Sequence, residues 1–185
     1  MRELKVGQIW FPVLTLGYGK RVGIWLQGCH KMCRNCISPE YQDFYNGTNF
    51  MVKDLMNMMR KYKGIDGLTV SGGEPFDQPE GLLELILEYR REYNEDIVIF
   101  TGYTLENLQN RKSPIINQIL DNIAVLVDGE YIDERNEGIG MRGSSNQVIH
   151  VWKCHERYEN SEQMEREVQF VLLKDRLWMI GIPAK

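Results

Sequence analysis

Cys29, Cys33 and Cys36 fall within eight residues of a 185-residue chain, in the spacing C-x3-C-x2-C. Thiolate is a soft ligand that suits zinc and iron–sulfur clusters. Four thiolates would close a tetrahedral zinc or saturate a four-iron cube, whereas three leave one metal position open for chemistry. Spacing alone leaves three readings. One is an iron–sulfur cluster. Another is zinc with His30 or Cys154 as a fourth ligand, although structural zinc sites generally pair two distant knuckles and this chain has no second one. The last is a redox dithiol at Cys33 and Cys36, which leaves Cys29 without a task.

A second string, Ser71-Gly72-Gly73-Glu74-Pro75, follows the triad. Two glycines after an apolar run let backbone groups approach a ligand with no Cβ in the way. Taken alone, they equally describe a tight turn from strand to helix. Cys154 stands apart and fits a small buried hydrophobe, with His150 and His155 close enough in sequence to leave a metal site as the alternative.

The elements that must carry these residues alternate along the chain. Positions 22–26, 68–70, 97–100 and 123–127 are short β-prone runs. Each is followed by candidate chemistry: the cysteines, Gly72-Gly73-Glu74, Thr101-Gly102 and Asp128. Helices are expected at 50–61 behind Asn49 as cap, and at 79–93 with Leu82, Leu83, Ile86 and Tyr89 on one stripe. Another is expected at 114–122, where Ser113-Pro114 makes a good start. This alternation favours a parallel sheet with right-handed crossovers. All strand C-terminal ends then share one edge, where ligands collect.

Residues 148–152 read as a further strand, 161–166 as a short helix capped by Ser161, and 168–173 with 177–182 as a hairpin turning at Lys174-Asp175. The expected fold is α/β, a partial (open) β/α barrel of about six mostly parallel strands, since a closed eight-stranded barrel takes about 250 residues. It forms one domain over residues 1–185, with a metal-binding loop at 28–43 and the segment 148–185 completing the sheet.

Hydrophobic residues at 43% and charged residues at 26% are ordinary for a soluble globular chain. A net charge of −4 does not favour nucleic acid. No apolar run approaches the ~18–20 residues that span a bilayer, and Met1–Val6 carries charges where a signal peptide needs an apolar run. A cytoplasmic protein with no membrane or nucleic-acid partner is expected. Three of the four cysteines lie too close together to staple distant parts of the chain, so no disulfide framework is expected.

With these strings in place, the chain resembles the radical S-adenosylmethionine (SAM) enzymes, most closely the activating-protein family of anaerobic (class III) ribonucleotide reductase. The triad and Gly72-Gly73-Glu74 are shared across the superfamily. The segments Gly17–Cys29, Cys36–Glu40, Phe100–Thr104, Val127–Gly129, Arg142–Gln147 and Gly181–Pro183 extend the similarity over most of the chain, and Thr101-Gly102-Tyr103-Thr104 and Arg142–Gln147 are more particular to this branch. Asn35 departs from the aromatic residue that many superfamily members carry before the third cysteine.

The resemblance implies that Cys29, Cys33 and Cys36 ligate three irons of one [4Fe–4S] cluster, the fourth iron being chelated by SAM. It implies that Gly72, Gly73 and Glu74 hold the methionine amino group, mainly through backbone, and that Asn35 and Ile37 touch the adenine. Thr101 and Asp128 become candidates for the ribose or a bound cation, Arg142 and Ser144 for the carboxylate or ribose. The implied activity is reductive cleavage of SAM to a 5′-deoxyadenosyl radical that makes a glycyl radical on a partner, anaerobic ribonucleotide reductase. Reduced flavodoxin or ferredoxin would be the electron donor. A stand-alone radical SAM enzyme acting on a small molecule or peptide is the alternative. A non-enzymatic metal-bearing module would leave Gly72-Gly73-Glu74 unexplained. With only Cys154 outside the triad, an auxiliary cluster has no ligand set.

Overall fold

Apolar residues alternate along the central strands and sort the molecule into two layers. The computed structural model describes residues 2–174 and 176–184. Strands β1 (Glu3–Val13), β2 (Arg21–Leu26), β3 (Thr48–Met51), β4 (Gly67–Gly72), β5 (Ile97–Phe100), β6 (Val125–Asp128) and β7 (Val148–Val151) form one sheet in the order β3-β1-β2-β4-β5-β6-β7. The four strands β2-β4-β5-β6 are mutually parallel, while β1 and β7 run antiparallel to β2 and β6.

Val22, Ile24 and Leu26 of β2, Leu68 and Val70 of β4, Ile97 and Ile99 of β5 and Leu126 of β6 point to one face and are buried. Helices α1 (Val52–Met59), α2 (Pro79–Glu92) and α4 (Pro114–Asp121) cover that face, with the short α3 (Leu105–Asn110) beside them. The stripe of α2 is Leu82, Leu85, Ile86 and Tyr89, with Leu83 only half-buried. The intervening residues Trp25, Val98, Val125 and Val127 point to the opposite face. Among the described residues no long helix covers it; a hairpin of β8 (Val168–Leu173) and β9 (Arg176–Gly181) brings Trp178 and Ile180 against Trp25. Period-two alternation on strands buried on both sides accounts for this sorting.

Several expectations need correction. The sheet has seven strands where about six were expected; it is mostly parallel as expected, with β3 running in the same direction as the central four and only β1 and β7 opposed. Of the segment 148–185, β7 joins this sheet, while β8 and β9 pair with each other in a separate two-stranded sheet. The helix expected from Phe50 begins at Val52, because residues 48–51 pair with Glu3–Val6 and that ladder outweighs the capping signal of Asn49. The short helix of the tail is α5 (His155–Tyr158), not 161–166, where Ser161 is buried in a turn. The hairpin pairs as expected, from Val168 with Gly181 to Leu173 with Arg176; of its expected turn, Asp175 lies outside the described residues. Among the described residues, no helix is long and apolar enough to cross a membrane.

The N-terminal edge of the parallel strands is closed by Arg21, which is fully buried. Its Nε donates to Thr69 Oγ1 (2.6 Å), one terminal nitrogen to Asp96 Oδ1, the Tyr18 carbonyl and Tyr158 Oη, and the other to the carbonyls of Leu68 and Asp96. Tyr158 Oη also donates to Asp96 Oδ1 (2.6 Å), and Arg157 pairs with the same carboxylate. A buried guanidinium is tolerated because its donors are met with this completeness.

Candidate functional site

At the opposite edge, Gly28 leaves β2 with φ +97°, a conformation that suits glycine, and turns the chain off the sheet. The loop returns to its own base. Gly28 N–H donates to the Tyr41 carbonyl and Cys29 N–H to the Gln42 carbonyl, both at 2.9 Å. Gln27 Nε2 reaches the Asp43 carbonyl (2.8 Å), and Gln42 Nε2 the Cys33 carbonyl (3.2 Å). Within the loop, Met32 (φ 47°) and Asn35 (φ 58°) are left-handed. Asparagine accepts that conformation readily, whereas at Met32 it is strained. These two turns set Cys29, Cys33 and Cys36 around one cleft.

Gly72 and Gly73 seat the end of β4 on the root of this loop. Gly73 N–H donates to the Leu26 carbonyl (2.7 Å) and Glu74 N–H to the Gly28 carbonyl (2.8 Å). A Cβ on Gly72 would come within 2.5 Å of the Leu26 backbone, and one on Gly73 would fall on the Gly28 carbonyl. The glycines therefore serve the turn and the cysteine loop at once. Among the described residues, the Gly73 carbonyl accepts no hydrogen bond.

The Glu74 side chain is engaged inside the protein. Its Oε1 accepts from Phe76 N–H (2.9 Å) and Thr101 Oγ1 (2.7 Å), and its Oε2 from Gly102 N–H (2.8 Å). Burial pushes this carboxyl up to about 7, while the three donors pull the other way.

The triad, Gly72, Gly73, Glu74 and Thr101 all border the same cleft. Through Cys36, Ser71, Gly72, Phe100, Tyr131 and Gln147 it shares a wall with a second chamber, of about 130 Å³, under the hairpin. Ile37, Trp25 and Trp178 face this second chamber. Asn35 lies outside both, its Nδ2 3.5 Å from Asp133 Oδ2.

Besides Asn35, three more expected residues are not brought in. Asp128 lies two residues beyond Leu126 and shares its helix-facing side; its carboxylate accepts from Leu105 N–H (2.5 Å) at the start of α3 and from Val148 N–H, and pairs with His150 Nε2 at 3.0 Å. Arg142 donates to the Gln147 carbonyl (3.0 Å). Ser144 is fully buried and accepts from Ile132 N–H. Lys31, Phe100, Tyr131 and Gln147 line the cleft without having been singled out. Gln147 stood in the string Arg142–Gln147, and its amide braces Gly129, Gly143 and Ser144. Nothing in the pattern around Tyr131 marks it.

Burial raises all three thiols, Cys33 to about 11. A metal must therefore displace protons to bind. Among the described residues, no three His, Cys, Asp or Glu side chains are drawn together as ligands of a single metal ion. Three thiols lining one cleft are the donor type that an iron–sulfur cluster takes. Cys154 is beyond reach, bordering a pocket with Asp66 and Asp96 at the Arg21 edge.

Residues 15–150 match the family described as 4Fe-4S single cluster domain. Among curated proteins, the chain is 32% identical to the anaerobic ribonucleoside-triphosphate reductase-activating protein of Haemophilus influenzae, over 74% of this chain and 91% of that one. The Escherichia coli K12 protein of the same name is 32% identical over 76% and 95%, and that of phage T4 is 30% identical over 74% and 90%.

Proposed function

The chain belongs to the family of anaerobic ribonucleoside-triphosphate reductase-activating proteins, and from that premise we propose that it generates a glycyl radical on such a reductase. The observation that carries the proposal is a cleft walled by three free thiols and floored by Gly72-Gly73 at the C-terminal edge of parallel strands. In this reading Cys29, Cys33 and Cys36 would hold three irons of a [4Fe–4S] cluster, leaving one iron for SAM. When bound and reduced, the cluster would supply the electron for cleavage of SAM to methionine and a 5′-deoxyadenosyl radical able to take a hydrogen atom from a glycine Cα.

The protein's own part is orientation and exclusion of solvent. The Gly73 carbonyl accepts from the amino group of SAM. Glu74 fixes Thr101 and Gly102 as a wall, with Thr101 toward the ribose. Ile37 and Phe100 offer apolar surface for the adenine, while Asn35, turned to Asp133, is left without that role. Trp25 and Trp178 give the second chamber aromatic walls. Helices on one sheet face, a site at the strand C-termini and a sheet with two edges support a partial radical SAM barrel whose mouth a partner closes. Reduced flavodoxin or ferredoxin is the proposed electron donor, and the cytoplasm the proposed location.

The test is to mix the anaerobically reconstituted, reduced protein with SAM and the reductase. A doublet glycyl-radical signal in electron paramagnetic resonance, with 5′-deoxyadenosine formed alongside, is expected. A cluster-loaded protein that cleaves SAM only with a small molecule or peptide would transfer the assignment to that substrate class.

A further inference from the structure

Assigning the cleft to SAM leaves its carboxylate with no cationic side chain assigned to it. The walls are unfavourable to an anion, since three thiolates would ring a bound cluster and Glu74 lies buried beneath them. Arg142, the expected cation, is turned to the Gln147 carbonyl.

Lys31 is the one cationic side chain among the described residues that line the cleft. It stands between Cys29 and Cys33, so the loop that carries the cluster ligands also carries this charge. Its stem lies over Gly102: a Cβ added there would come within 3.0 Å of Lys31 Cγ and 3.4 Å of its Cε. A glycine after Thr101 thus leaves the groove in which the lysine chain rests, and Glu74 fixes that glycine by accepting its N–H.

The ammonium group, by contrast, is loosely held. It is 3.8 Å from Glu130 Oε2, whose side chain is half exposed, and 5.0 Å from the centroid of Tyr103. Arg111 covers that ring more closely, at 3.9 Å. A pair this long with a half-exposed carboxylate is worth little, so the ammonium can leave it for a ligand carboxylate while its stem stays seated.

We infer that Lys31 is the residue that binds the carboxylate of the SAM methionine moiety, exchanging its contact with Glu130 for the ligand. This inference rests on the proposed use of the cleft for SAM. The lysine supplies a point charge with three donors, which suits a carboxylate.

The test uses the anaerobically reconstituted holoprotein and two probes, SAM and decarboxylated SAM, with affinities measured by calorimetry. Lys31→Met keeps the length and apolar packing of the stem. It should weaken SAM on the order of tenfold or more, leave decarboxylated SAM within about twofold and preserve the cluster absorbance; Lys31→Arg should recover most of the loss. Glu130→Gln removes the competing carboxylate and should tighten SAM but not decarboxylated SAM, which decides the matter if Lys31→Met loads its cluster poorly. Unchanged SAM affinity in Lys31→Met, equal weakening of both probes, or no change in SAM affinity in Glu130→Gln would overturn the inference and leave the proposed function standing. A wild-type holoprotein that binds no SAM would overturn both.

Discussion

The two ends of the parallel strands follow opposite rules. At the N-terminal edge, Arg21 is fully buried and makes six hydrogen bonds, and Asp96 is shared by Arg21, Arg157 and Tyr158. At the C-terminal edge, three thiols remain free, Met32 and Asn35 sit in left-handed turns, and the Gly73 carbonyl accepts nothing from the described residues. One edge satisfies its polar groups from within; the other leaves them for a ligand. In barrels of parallel strands, the C-terminal face carries chemistry and the N-terminal face carries stability. The same division appears here in an open sheet, and it can be tested by substituting each edge in turn.

The largest effect should come from the triad. Cys29→Ala, Cys33→Ala or Cys36→Ala should each abolish cluster assembly, seen as loss of iron, sulfide and visible absorbance after anaerobic reconstitution, while the apo-protein unfolds almost as the wild type does. Retained cluster in any of the three would break the comparison. Arg21→Met should do the reverse. It leaves the Asp96 carboxylate buried without its main partner and should cost about 3–5 kcal/mol in denaturant unfolding, yet any protein that stays folded should still load iron. A loss below about 1 kcal/mol would mean that the latch is not structural.

Gly73→Ala tests how the edges of β2 and β4 are joined. Its Cβ would fall on the Gly28 carbonyl, so iron content and SAM binding should fall together. Loss of SAM binding alone, with a full cluster, would mean that the glycine serves only the ligand.

Glu74 gives a smaller, pH-dependent effect. Its carboxyl is pushed up from 4.5 to about 7, so the folded protein keeps a proton that the unfolded chain has released between these values. The stabilisation is complete below about pH 4.5 and is lost as the pH rises through 7. Glu74→Gln should flatten the dependence of apo-protein stability on pH in that window, by an amount on the order of 1–3 kcal/mol. Parallel curves for the two proteins would show that Glu74 titrates ordinarily. Smallest of all, Cys154→Ala should leave iron content unchanged and shift stability by about 1 kcal/mol or less, because this residue lies at the other edge.

What the sequence disclosed, and what it hid, follows the same division. β2, β4, β5 and β6 could be read because each is a compact apolar run, and α2 because its stripe repeats at helical spacing. β1 was hidden: only Leu4, Val6 and Val13 of its eleven residues are buried, and its register with β2 shifts twice. α3 rests on the Thr104 cap and one buried residue, Leu108, too little for a periodic signal. In the site, the cysteines and glycines were legible because the chemistry demands those residue types. Asp128 shows the limit: a strand end fixes the edge a residue occupies, but alternation fixes its side, and Asp128 faces α3. Lys31, Tyr131 and Gln147 enter through loop conformations with no periodicity.

The central claim is that hydrogen leaves a glycine of the partner and arrives on the adenosyl group formed at the three-thiol cleft. Incubating the reduced holoprotein with unlabelled SAM and a reductase deuterated at glycine, then weighing the 5′-deoxyadenosine by mass spectrometry, tests it directly. Deuterium should appear in 5′-deoxyadenosine in proportion to the glycyl radical formed. Undeuterated 5′-deoxyadenosine accompanied by a full glycyl-radical signal, or deuterium entering only from a small molecule or peptide, would contradict the account.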